Sequence, residues 1–231
     1  MVYLYLAFIV YTITACFYLD ADYRDNFNKR FTFKLLLSVI YLAIAVLAFL
    51  LNRIDGALVS VFHFKWIFSG MLLVFYGDIS HIWKKDIKSF AIGQTSYLAS
   101  KIVFSVYFTD ILFKTTGELF SIREIIVFAG VSIMMLLIIK LKNISNIGMK
   151  ILTILLSLTS AYMVAKASSM IQFMNTSFSW PLFIGVLFLG FSNSLRIFDK
   201  FSKKEHIYIR GLYNTLHLVG IVVLPLGIYY V

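Results

Sequence analysis

An all-α fold, a polytopic transmembrane bundle of about eight helices with a central polar cavity, is expected from hydropathy, charge spacing and the depth of a few polar residues. Of 231 residues, 61% are apolar and 14% charged, where a soluble domain carries roughly 45–50% and about 25%. A water-facing surface cannot be built from that supply, so an ordinary soluble enzyme is excluded. A single cysteine, Cys16, excludes a disulfide framework within the chain and any cysteine-based zinc or iron–sulfur site. Two prolines and twelve glycines do not fit a disordered or collagen-like chain. Residues 1–231 read as one integral membrane domain, since eight spans leave about 29 residues for each span with its loop.

A helix crossing ~30 Å of hydrocarbon needs about 20 mostly apolar residues, and eight runs qualify. The first, about 2–19, has no Lys or Arg before it and no small-residue cleavage site after it, so it is expected to stay as a helix. The second, about 32–51, opens beside Lys34, and the third, about 58–80, holds Asp78 near its end. In the fourth, about 89–112, Gly93, Tyr97, Ser100, Lys101 and Phe104 recur in steps of three and four and share one face. The fifth is about 122–141; the sixth, about 148–172, carries Tyr162 and Lys166. The seventh, about 180–200, repeats the pattern of the fourth with Gly185, Ser192 and Arg196 on one stripe and Asn193 beside it. The eighth, about 207–230, holds His217 some ten residues in. No internal repeat stands out.

Charge alternates between the loops. Arg24, Lys29, Arg30, Lys84, Lys85, Lys88, Lys140, Lys142, Lys150, Arg196, Lys200, Lys203, Lys204 and Arg210 fall on one side; Arg53, Lys65, Lys114 and Arg123 fall on the other. The positive-inside rule then puts both termini outside the cytoplasm, in the cell's inner or plasma membrane. The net charge of +10 therefore reflects topology and not a nucleic-acid surface. Trp66, Trp180, Tyr229 and Tyr230 near the outer ends and Trp83 near an inner end suit interfacial aromatic belts.

Three lysines, Lys34, Lys101 and Lys166, lie within spans. An ionisable group there costs at least ~2.5–3.5 kcal/mol, so it is expected to face the bundle interior and find a partner. At about 1.5 Å per residue, Lys34, Asp78, Lys101, Tyr162, Asn193 and His217 fall between the inner interface and the midplane. A shared cavity opening toward the cytoplasm gathers them. Plainer readings stand beside this one: Lys34 and Arg196 snorkelling to the interface, Lys101 paired with Asp78 as a structural ion pair, and His217 as a packing residue. Lys166 is expected to reach outer water, and His63, His81 and His206 to lie in loops or at interfaces. No metal or cofactor motif occurs. Gly190-Phe191-Ser192-Asn193-Ser194 is no nucleophile elbow, since it lacks the last glycine and lies in a span.

Five short motifs together point to a family. They are Phe33-Lys34-Leu35-Leu36; Val74-Phe75-Tyr76-Gly77-Asp78-Ile79; Phe90, Gly93, Tyr97, Lys101 and Phe104; Gly185, Phe188 or Leu189, Ser192, Asn193 and Lys200-Phe201; and Tyr213 with His217. From about Phe31 to Leu224 the chain resembles the YhhN family of eight-span membrane proteins, which includes the lysoplasmalogenases. Against the family pattern, Lys101 replaces a histidine, Phe104 a tyrosine, Asn193 an aspartate and His217 a glutamine. The resemblance implies a membrane lipid hydrolase that cleaves the vinyl-ether bond of a lysophospholipid, giving an aldehyde and a glycerophospho-alcohol without metal or cofactor. Asp78, Lys101 and His217 are then the expected catalytic groups. Lys34, Tyr97, Tyr162, Ser192, Asn193 and Tyr213 are the expected substrate contacts. A second expectation is a catalytically reduced relative that binds or moves a lipid or small amphiphile. A third is an ion or proton pathway through Asp78, Lys101 and His217.

Overall fold

The computed structural model describes residues 2–54, 61–83, 86–139, 143–174, 176–202 and 206–230, without the side chains of Arg53, Ile54 and Trp83. Lys84, Lys85, Lys140, Lys142, Lys203 and Lys204, six cations of the charge pattern, lie outside the described residues, as do the side chains of Arg53 and Trp83. Eight helices follow one another: α1 Val2–Tyr23, α2 Phe27–Ile54, α3 Val61–Trp83, α4 Ile87–Thr116, α5 Ile122–Ile139, α6 Ile147–Met174, α7 Ser179–Phe201 and α8 Ile207–Tyr229. Among the described residues there is no strand. Seven of the eight are long and apolar enough to cross a bilayer, which makes this an integral membrane protein. The exception is α3, 23 residues long, which carries His63, Lys65, Asp78 and His81 among its apolar residues.

Helix ends are set locally. Asp86 caps α4, its carboxylate accepting from the Ser89 amide at 2.6 Å and satisfying one of the free N–H groups of the first turn. Gly117 stops the same helix in the left-handed region (φ 72°), where its N–H reaches Phe113 O.

Six helices close a ring in the order α2, α3, α4, α6, α7, α8 and back to α2. Helix α1 covers the α2–α8 seam from outside and α5 covers the α6–α7 seam. Burial follows this plan: 22% of the apolar stretch of α1 and of α5 is buried, against 61% for α7. The outer face of α1 shows Leu6, Ile9, Ile13 and Phe17, which are the side chains a hydrocarbon surround accepts. Inside, Tyr41, Tyr97, Phe104, Tyr107 and Phe108 fill the ring.

Without a hydrophobic drive between helices in lipid, close backbone approach is a main source of attraction. The α7–α8 contact depends on it. A Cβ on Gly185 would lie 2.5 Å from Leu224 and 2.9 Å from the Gly220 carbonyl, and one on Gly220 would lie 2.9 Å from the Gly185 carbonyl. We expect Gly220→Val to force these helices apart and to lower stability by about 1–3 kcal/mol. Gly130→Ala, with nothing within 4 Å, is expected to be neutral. Thermal unfolding of both variants in detergent checks the pair.

Candidate functional site

At one end of the ring, where α1, α3 and α7 finish and α2, α4 and α8 begin, lies a vestibule of 330 Å³. Arg30, Lys34, Arg196, Lys200 and Arg210 line it together with Asp22, Asp86, Asp199, His81 and Tyr213, and Asp78 belongs to its wall. So dense a set of ionic groups is found inside a membrane bundle only where the charges answer one another.

Asp78 is that answer at the centre. Its side chain is wholly buried, yet one oxygen, Oδ1, meets three groups from three helices. The Tyr97 hydroxyl of α4 donates to it at 2.6 Å, Lys34 Nζ of α2 lies at 3.2 Å, and His217 Nε2 of α8 lies at 2.9 Å. Ser38 donates to Oδ2 at 3.5 Å. Arg196 of α7 donates to the Tyr97 oxygen at 2.6 Å, with its guanidinium over the Tyr97 and Tyr213 rings. Gly77 makes room for this: a Cβ there would meet the Tyr97 ring at 2.5 Å. A small residue followed by a carboxylate thus lets α4 come close enough to hand its tyrosine to Asp78.

A second cluster closes the vestibule on the α1 side. Asp22 faces Arg30 Nη1 at 3.4 Å and Arg210 Nε at 3.5 Å, and Asn214 donates to Asp22 Oδ2 at 3.0 Å. Behind the Asp78 cluster, deeper in the ring, is a second and much smaller cavity. Tyr97, Ser100, Lys101, Asn193 and His217 line it with four apolar side chains.

The packing corrects several expectations. Lys101 does not pair with Asp78; it is buried and donates to Ser160 Oγ of α6. Lys34 and Arg196 do not snorkel, because Asp78 and Tyr97 hold them inside. Lys166 does not reach outer water: it is 1% exposed, donates to Leu119 O, and forms an ion pair with Glu124 at 2.7 Å at the other end of the bundle. Of the two places expected for His81, a loop or an interface, it is not in a loop: it stands in the last turn of α3 and lines the vestibule, its ring against Phe90 and Tyr97. His63, in the first turn of α3, bonds the Tyr107 hydroxyl at 2.8 Å, and His206 is the N-cap of α8.

Of the nine residues singled out from sequence, Asp78, His217, Lys34 and Tyr97 meet directly. Tyr213 lines the same vestibule. Lys101 and Asn193 open onto the inner cavity. Ser192 gives its hydroxyl to Tyr213 O at 2.8 Å and serves the α7–α8 contact. Tyr162 stands apart, bonded to Thr109 in an apolar groove between α4 and α6. Asp22, Arg30, His81, Arg210 and Asn214 join the site without having been singled out by depth or motif. His81 has a signal in the chain, since it falls three residues after Asp78 on a helix and so shares its face. Arg30 and Arg210 mark topology in the sequence and nothing more. Among the described residues, no group of three His, Cys, Asp or Glu is arranged to hold a metal ion.

No curated protein and no solved structure gives a significant match to this chain. The model of the YhhN family does match, over residues 29–230, a stretch that includes every residue of the Asp78 cluster. The chain belongs to the YhhN family.

Proposed function

We propose that the protein is a membrane lipid hydrolase of the lysoplasmalogenase type, acting on the vinyl-ether bond of a lysophospholipid. The observation that carries this reading is a carboxylate, Asp78, tied to an imidazole and an ammonium at the inner wall of a cation-lined vestibule. At 330 Å³ the vestibule is at the small end of ligand pockets, which run about 300–1,000 Å³. That suits a headgroup and the first few atoms of a chain. Arg196, Lys200 and Arg210 supply the positive charge that a phosphate wants. By the charge pattern of the loops, the mouth faces the cytoplasm.

The reaction adds a proton to the outer vinyl carbon, leaving an oxocarbenium ion next to the ether oxygen. Water adds to the cationic carbon and gives up a proton. The hemiacetal then breaks its carbon–oxygen bond, releasing the aldehyde and the glycerophospho-alcohol. One proton donor and one base are required. In this reading Lys34, the ammonium beside Asp78 on the vestibule wall, gives the first proton. Asp78 aligns the water and takes its proton, while His217 steadies the carboxylate. Tyr162 has no part, and Lys101 acts only from behind the Asp78 cluster.

A second reading keeps the same pocket without turnover. Asn193, where the family pattern has aspartate, is an amide and has no acidic proton to give. A protein that binds or moves a lysolipid would need the vestibule and not the second acid.

Purified protein in detergent, given lysoplasmalogen, is expected to release aldehyde. Asp78→Asn is expected to lower kcat by at least about 10²-fold. Wild type that retains a lysophospholipid in native mass spectrometry but releases no aldehyde between about pH 5 and 9 assigns the chain to the second reading. Lys200→Met is expected to raise KM about tenfold with kcat little changed, because a headgroup interaction holds substrate and transition state equally. Tyr162→Phe is expected to leave both constants within about twofold, and a large drop there would move the site to the α4–α6 groove.

A further inference from the structure

The ring of helices carries a regularity that few identical residues betray. Contacts α1–α2, α2–α3 and α3–α4 recur as α5–α6, α6–α7 and α7–α8, and the joint α4–α6 recurs as α8–α2. The repeat holds at residue level with a nearly constant shift of 115 or 116 positions. Lys34 falls on Lys150, Gly70 on Gly185, Asp78 on Asn193, Tyr97 on Tyr213 and Lys101 on His217. The matched positions also do matched work. A Cβ on Gly70 would strike Phe104, and one on Gly185 would strike Gly220, the position matching Phe104. Gly77 receives the Tyr97 ring, and Ser192, its counterpart, bonds the Tyr213 carbonyl.

Applied to the site, the same shift maps the pair His217 and Asp78 onto Lys101 and Asn193. Both residues are buried and both line the small inner cavity. The Asn193 Oδ1 and the His217 Nδ1 have no hydrogen-bond partner among the described residues, and both belong to side chains of residues less than 5% exposed. Two unpartnered polar atoms on residues that line one small cavity suit a shared water molecule. The cavity has about 10 Å³ free, close to the ~10–15 Å³ that one water molecule requires.

We propose that the bundle is a doubled four-helix unit whose second polar half-site, Lys101 with Asn193, faces the first across the inner cavity and holds one water molecule against His217. The half-site corresponds in position to the Asp78 site, with an amide, Asn193, where the first has its carboxylate. It does not depend on the hydrolase reading, since the pairing and the water are properties of the fold.

A double-mutant cycle tests the pairing. Asn193→Asp restores an anion opposite Lys101, so in an otherwise unchanged protein the detergent Tm is expected to stay within a few degrees. In a Lys101→Met background the same change leaves a buried carboxylate without its cation and is expected to cost roughly 5–10 °C more. Equal losses in both backgrounds overturn the pairing. An experimental structure at about 1.8 Å is expected to show one water within hydrogen-bond distance of Asn193 Oδ1 and His217 Nδ1, and a dry cavity overturns the water assignment. Both results stand whether or not wild type releases aldehyde.

Discussion

A carboxylate at the depth of Asp78 has no bulk water to solvate it, and removing an ion from water costs several kcal/mol even after the protein relaxes. The rest of the site can be understood as the response. Lys34 from α2, Tyr97 from α4 and His217 from α8 converge on one oxygen, which forces α3 to touch three other ring helices at the same level. Arg196 then closes over Tyr97 from α7, so five of the six ring helices are bound into one polar junction. Such a junction fixes the relative rotation of the helices more tightly than apolar packing could, because each partner must aim a particular atom. It also gives a reason for a carboxylate in the otherwise apolar α3: that helix holds the ion the others surround.

Much of this is legible in the chain. Eight apolar runs become eight helices, and the largest discrepancy is at α2, which begins at Phe27 and not near residue 32. The extra turn matters, since it brings Arg30 onto the helix and into reach of Asp22. Asp78, Lys34 and His217 stand out because an ionisable group in a span is expensive and must find partners. Tyr162 escapes the same logic for a physical reason: depth along a helix fixes height in the membrane but says nothing of which way the side chain turns. There the helix presents its ring to Thr109 and away from the ring centre. Lys166 shows the converse, a charge eight residues from the end of α6 that finds a buried glutamate instead of reaching water.

The charge pattern is informative in one sense and misleading in another. As markers of a membrane side, Arg30, Arg196, Lys200 and Arg210 do share one end of the bundle. The pattern conceals that they gather around one opening. The charges that mark a membrane side are also charges that line the vestibule, and only the packing of α1, α2, α7 and α8 brings this out. The register of about 115 residues is hidden likewise, because few of the matched positions are identical and the match lies in roles: a small residue before a polar one on α3 and α7, a tyrosine four residues before a cation or imidazole on α4 and α8.

The α1 seam has a consequence for how the protein is made. Asp22 has Arg30 close by in the chain, but its other partners, Arg210 and Asn214, are 188 and 192 residues farther on. Tyr11 likewise donates to the carbonyl of Leu218, 207 residues away. At about 5–20 residues per second, α1 leaves the ribosome on the order of 10–40 s before the part of α8 that it meets. During that interval Asp22 has only Arg30 of these partners to answer its charge, and the inner face of α1 stands without α8.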